Sequence, residues 1–103
     1  MKKEERLENI KNMECIFNEL NSSLKDMEKN IGKWKRLFPK FKKLMDYYGS
    51  EQWKKDYYDV NNGRLKPEWF HWILSEDTIY DFYQEQREFC MEIIKFTDRI
   101  LKF

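Results

Sequence analysis

Starting at Ile10, a large apolar or aromatic side chain recurs at alternating steps of three and four residues. The series is Ile10, Met13, Phe17, Leu20, Leu24, Met27, Ile31, Trp34, Phe38, Phe41, Met45 and Tyr48, and it runs without a slip. Such spacing aligns the side chains along one line of an α-helix, which then needs a partner over its whole length. The residues between are mostly Lys, Glu, Asn and Asp, the composition of a solvated face.

Two residues interrupt this helix on paper. Gly32 weakens it by about 1 kcal/mol relative to Ala, which a long helix tolerates. Pro39 removes a backbone donor and crowds the preceding turn, which predicts a kink. The alternative is a break at Asn30-Ile31-Gly32, with Gly just past a helix end. The phase stays unbroken across Ile31 and Trp34, which favours continuity.

After Tyr48 the pattern stops. Gly49 ends the helix and Ser50 is a natural N-cap for a short second one. Asn61-Asn62-Gly63 is turn chemistry, and Pro67 can open another helical turn because its missing donor costs nothing at the first helical position. Ser75 then caps a last helix, with Glu76 and Asp77 placed in its first turn, where the helix dipole favours negative charge. The three-four series returns as Ile79, Phe82, Gln86, Phe89, Ile93, Phe96, Ile100 and Phe103. The expected fold is all-α, a single helical domain over 1–103. A long kinked N-terminal helix (about 4–48) packs antiparallel on a C-terminal helix (about 76–102) as a coiled-coil-like hairpin. Short helices at about 50–58 and 67–72, with the loop of 49–75, cap it.

The two long helices are unequal, and the first overhangs the last by roughly 25 Å. The overhang carries Leu7, Ile10, Met13, Phe17 and Leu20, an apolar line that needs cover. Either a second copy supplies it, or the first helix breaks and folds back into a three-helix bundle. A homodimer is the expectation, since closed two-fold pairing is the commonest way for a small chain to cover such a face.

Twenty basic residues against 19 acidic ones give no global push toward nucleic acid or an anionic membrane. No run approaches the roughly 20 apolar residues of a membrane span, and no secretory leader opens the chain. Two isolated cysteines, Cys15 and Cys90, fit free thiols in a reducing cytoplasm. Lys33, Lys35, Arg36, Lys40, Lys42 and Lys43 form a basic run interleaved with Trp34, Phe38 and Phe41. Lysines on phosphates with aromatics on bases would read as nucleic-acid contact. The aromatics lie on the heptad line, however, so packing is the better account and nucleic acid is not the expected partner. Asp56, Asp59, Asn61, Asn62 and Gly63 miss the spacing of a calcium loop, because Tyr58 stands where the first carboxylate belongs. No metal or cofactor is expected. His71, the one histidine, has no nucleophile motif around it, so no catalytic residue is assigned and the chain is read as not an enzyme.

What the helical lines leave over is the aromatic surplus between Tyr47 and Asp81. It includes Tyr47, Tyr48, Trp53, Tyr57, Tyr58, Trp69, Phe70, Trp72 and Tyr80. One reading is a small satellite core fixing the short helices. The other is a pocket for a small planar or anionic ligand, with Trp53, Tyr57, Trp69, His71 and Trp72 as its walls and Lys54 and Arg64 as anion partners. Packing is the commoner use of such clusters.

Several motifs resemble one family. They are Glu5-Arg6-Leu7 with Met13-Glu14, Tyr47-Tyr48-Gly49-Ser50, Trp53, Asp56-Tyr57, Gly63-x-Leu65 and, most specific, Leu74-Ser75-Glu76-Asp77-x-Ile79-Tyr80-Asp81. Together they resemble the bacterial family called domain of unknown function 4298, over roughly residues 5–90. The resemblance implies a small helical cytoplasmic protein of bacteria and their mobile elements, without an assigned activity. Asn61 and Asn62 stand where that pattern has acids, and His71 and Trp72 where it has a basic-Gly pair. The functional expectation is a non-catalytic helical protein-interaction module, homodimeric, with itself or another protein as partner. The alternative is a small-ligand or nucleotide-sequestering protein, for example in phage counter-defence, using the aromatic pocket of 47–81.

Overall fold

In the computed structural model, residues 2–68 and 72–103 are described, Trp72 by its backbone alone. All regular structure among the described residues is helical, as the periodicities predict. Helix α1 spans Lys3–Tyr47, α2 spans Glu51–Asn61 and α3 spans Thr78–Leu101, with one 3₁₀ turn at Trp72–Leu74 between α2 and α3. No described helix is long and apolar enough to cross a membrane. The chain divides into two units, residues 1–42 and residues 43–103.

The first unit is a continuous length of α1. The break considered at Asn30-Ile31-Gly32 does not occur, because the helix passes through both Gly32 and Pro39. A fold-back into three helices would need that break and is therefore excluded. Glu4 and Glu5 sit in the first turn, where the unpaired N–H groups favour negative charge. Taken by itself, this unit has no second element to cover its seam. Leu7, Ile10, Met13, Phe17 and Leu20 are 52–66% exposed, and Leu24 and Met27 are half-exposed.

The second unit is built on two glycine turns. Gly49 ends α1 with φ 76°, a left-handed conformation that glycine adopts without a Cβ clash. Ser50 then caps α2, its hydroxyl accepting from the Trp53 N–H at 3.1 Å. At the other end Gly63 has φ 73°. The Arg64 N–H reaches back to the Asp59 carbonyl at 2.8 Å and the Gly63 N–H to the Val60 carbonyl at 3.2 Å, the paired bonds of a Schellman motif. The turn read at Asn61-Asn62-Gly63 is thus the helix stop, and α2 runs to Asn61, further than the expected end near 58.

The short helix expected at 67–72 overlaps residues 69–71, which lie outside the described residues. The described turn falls later, at Trp72–Leu74. The last helix also starts later than expected, at Thr78. The Ser75 hydroxyl does accept backbone N–H groups, from Asp77 at 3.3 Å and Thr78 at 3.2 Å. It closes a turn ahead of the helix, so Glu76 and Asp77 stand before the first helical turn, whose acid is Asp81. Ile79, just inside α3, is the buried apolar residue among those described, at 5% exposure.

The two helix glycines should respond oppositely to alanine. A Cβ at Gly32 would meet only Arg36 Nη1, at 3.6 Å. Gly32→Ala is expected to stabilise the chain by about 0.5–1 kcal/mol. Gly49→Ala forces a side chain into the left-handed region and is expected to destabilise by about 1–2 kcal/mol. Chemical denaturation of the two variants beside the parent checks both signs.

Candidate functional site

The aromatic surplus converges where the end of α1, the first turns of α2 and the segment before α3 meet, all within the second unit. Trp53 and Tyr57 are one helical turn apart on α2, so their rings lie on the same side and stack, with centroids 5.4 Å apart and planes at 19°. Tyr48 meets the Trp53 ring edge-on at 5.4 Å, and Tyr58 meets Tyr57 edge-on at 5.8 Å. These offset and T-shaped arrangements are the ones the ring quadrupoles favour.

The polar handles of Tyr48, Trp53 and Tyr57 are used within the chain. The Trp53 indole N–H donates to the Ile73 carbonyl at 2.7 Å, fixing α2 to the 3₁₀ turn. The Tyr48 hydroxyl donates to the Glu76 backbone carbonyl at 2.9 Å. The Tyr57 hydroxyl donates to the Glu76 carboxylate at 3.1 Å. Glu76 is thereby clasped at once from the turn after α1 and from α2, and the 73–76 segment is held by three aromatic donors.

A second polar cluster locks the α1–α2 corner. The Tyr47 hydroxyl donates to Asp56 Oδ2 at 2.6 Å and the Gln52 amide donates to Asp56 Oδ1 at 2.8 Å. Desolvation, then the Asp56 hydrogen bond and its negative charge, push the Tyr47 phenol up from 10.0 to about 12. The bonds from Tyr47 and then Gln52 hold the Asp56 carboxyl below its ordinary value. Asp56, weighed from sequence as an oxygen ligand, spends both its oxygens on these neighbours.

Of the residues expected to line a pocket, Trp53 and Tyr57 are brought together. Lys54 turns to Glu51 at 3.3 Å, an exposed pair, and Arg64 to the half-buried Asp59 at 3.7 Å, both surface ion pairs of small energetic weight. Trp69 and His71 lie outside the described residues, as does the Trp72 side chain. Sequence reasoning did not find the roles of Asp56, Ile73 and Glu76 as acceptors. Asp56 had a local signal, since Gln52 precedes it by four residues on one helix face. The acceptors at Ile73 and Glu76 had none, because a backbone carbonyl leaves no mark in a sequence.

The family described as Domain of unknown function (DUF4298) matches residues 10–96 of the chain. The chain belongs to the DUF4298 family. The match begins at the first residue of the three-four series and takes in the whole clasp from Tyr47 to Ile79. No curated protein and no solved structure matches the chain.

Two measurements test the clasp in this DUF4298 chain. Trp53→Phe keeps a ring but loses the bond to Ile73, and is expected to cost about 1 kcal/mol in thermal or denaturant unfolding. The Tyr47–Asp56 pair should give the stability profile two edges. The Asp56 carboxyl is lowered in the folded chain, so its contribution is present above the ordinary carboxylate value and lost as pH falls through the folded one. The Tyr47 phenol is raised, so its contribution is complete below pH 10.0 and lost as pH rises to about 12. Tyr47→Phe is expected to flatten both edges when melting temperature is followed against pH.

Proposed function

We propose that this DUF4298 chain is a non-catalytic helical interaction protein of the bacterial cytoplasm, and that it forms a homodimer through a coiled coil on α1. The observation that carries this is the exposed line Leu7, Ile10, Met13, Phe17 and Leu20. An isolated helix gains little from backbone propensity in water and depends on packing its apolar face. Burying one such side chain is worth about 1.5–3 kcal/mol, so a partner along this line supplies what the first unit lacks. The unbroken course of α1 supports the same reading, since it removes the fold-back that could have covered the line from within.

The pocket reading has less support. The indole N–H of Trp53 and the hydroxyls of Tyr48 and Tyr57 are committed to Ile73 and Glu76, and the cations Lys54 and Arg64 to their own acids. The Trp53–Tyr57 stack is therefore assigned to packing.

Sedimentation of the purified chain is expected to show a dimer that Leu20→Asp converts to monomer. Trp53→Ala is expected to lower the melting temperature and leave the dimer in place. A parent chain that sediments as a monomer at tens of micromolar would overturn the proposal.

A further inference from the structure

Helix α3 carries a second apolar line, and we infer that it is a contact between copies of the chain. In this contact α3 packs antiparallel on α3 of a second copy, with Met91 opposite Ile94 of that copy. The contact lies wholly within α3 and is separate from the α1 line. The first line of α3 is the three-four series from Ile79 to Phe103. The second is Met91, Ile94 and Leu101, which lies roughly 150° around the helix from the first. One helix packed on the first line leaves the second in water. Met91, Ile94 and Leu101 are 50%, 67% and 83% exposed.

Charge along this line chooses the occupant and its direction. One turn before Met91 the line continues to Arg87, and one turn after Ile94 to Asp98. In the antiparallel register Arg87 lies opposite Asp98 of the second copy, twice by symmetry. Two apolar Met91–Ile94 layers then stand at the centre, with an opposite-charge layer at each end. A parallel pair would set Arg87 against Arg87 and Asp98 against Asp98, and like charges so placed weaken the pairing. Arg87 is exposed and, among the described residues, makes no ion pair. Asp98 holds Lys102 on Oδ2 at 2.8 Å, and a carboxylate has acceptor sites for a second donor. Leu101 lies beyond the charged layer, over the half-exposed Gln84, and does not enter the choice of register.

The flank of the line fixes the same register. In an antiparallel pair, the residues that follow the three-residue steps face each other across one flank. Here they are Glu88 and Lys95, so Glu88 faces Lys95 of the second copy, again twice by symmetry. Both are exposed and make no ion pair among the described residues. A slip of one heptad in one direction brings Lys95 against its own copy and Ile94 against Asp98. A slip in the other brings Glu88 against its own copy and Met91 against Arg87. The helix as a whole is graded in the same sense. Asp81, Glu85, Glu88 and Glu92 precede Lys95, Arg99 and Lys102. Arg87 and Asp98 each go against this order, and they are the two residues that meet inside the contact. Antiparallel pairing lays the acidic half of each copy beside the basic half of the other.

The test is disulfide trapping in the full chain, with Cys15→Ser and Cys90→Ser as background, both with and without Leu20→Asp. So short a contact is weak, and it is sought at about 0.5 mM chain. Arg87→Cys mixed with Asp98→Cys is expected to give a covalent dimer on mild oxidation, and neither variant alone to do so. Self-crosslinking of either variant would mean parallel helices and overturn the inference. Preferred crosslinking of Asp98→Cys with Ile94→Cys, or of Arg87→Cys with Met91→Cys, would mean a slipped register and overturn it too. Preferred crosslinking of Ile94→Cys with Met13→Cys would mean that α1 of the second copy covers this line, with the same consequence. A charge-reversal cycle in the Leu20→Asp chain with its native cysteines supplies an independent readout by sedimentation. Glu88→Lys alone and Lys95→Glu alone are each expected to raise the Kd of the α3 contact about tenfold, and the double variant to return within about threefold of the unreversed chain. No recovery in the double variant would overturn the proposed facing pair. A failed trap in a parent chain that sediments as a dimer sinks this inference alone. A parent monomer at tens of micromolar sinks the α1 reading alone.

Discussion

A helix that shows an apolar side chain at every three-four step, with nothing of its own unit packed on it, is the constraint on which the rest of this structure depends. α1 is 45 residues long, and its first unit holds no other element. Backbone hydrogen bonds within a helix are exchanged against bonds to water, so they contribute little net stability by themselves. The seam side chains are the first unit's main reserve of stabilising free energy, and they yield it only when covered. The polar face and the charge runs follow from the same need, since they keep the helix solvated on every side but one.

The second unit solves a different problem. α1 must stop at Gly49, α2 must turn back after Asn62, and the chain must enter α3 with few apolar residues to spare. Among its described residues Ile79 is the buried one. Its order comes from large rings that pack with one face and hydrogen-bond with one end. Tyr48, Trp53 and Tyr57 do both, reaching Ile73 and Glu76 from the turn after α1 and from α2. Aromatic residues suit a small unit because each supplies much area at a cost of two rotatable bonds. Within the aromatic surplus, Tyr48, Trp53 and Tyr57 thereby have a packing and hydrogen-bonding role.

The stops and starts of the helices were legible because their chemistry is local. Gly49, Ser50 and the Asn61-Asn62-Gly63 turn act on their own backbone neighbours, and the structure uses them as read. The late start of α3 was not legible. Ser75 accepts from Asp77 and Thr78 in a turn ahead of the helix, and the bonds that Tyr57 and Tyr48 make to Glu76 within that turn come from residues 19 and 28 positions away. The Tyr47–Asp56 lock is similar: the Gln52–Asp56 half lies on one helix face, and the tyrosine arrives only because Gly49 folds α2 back against the end of α1.

By itself the sequence determined that the chain is helical, where α1 ends, that it carries an apolar line from Leu7 to Met27, and that it belongs with DUF4298. Those follow from residue spacing and from capping chemistry that spans a few positions. Tertiary structure alone decided that α1 passes unbroken through Gly32 and Pro39, since a penalty of a few kcal/mol can be outweighed by a long helix or can end it. It alone decided that the aromatic donors of the cap turn inward to Ile73, Glu76 and Asp56. Those bonds join residues 9 to 28 positions apart, and no local rule fixes which acceptor a tyrosine or an indole will reach.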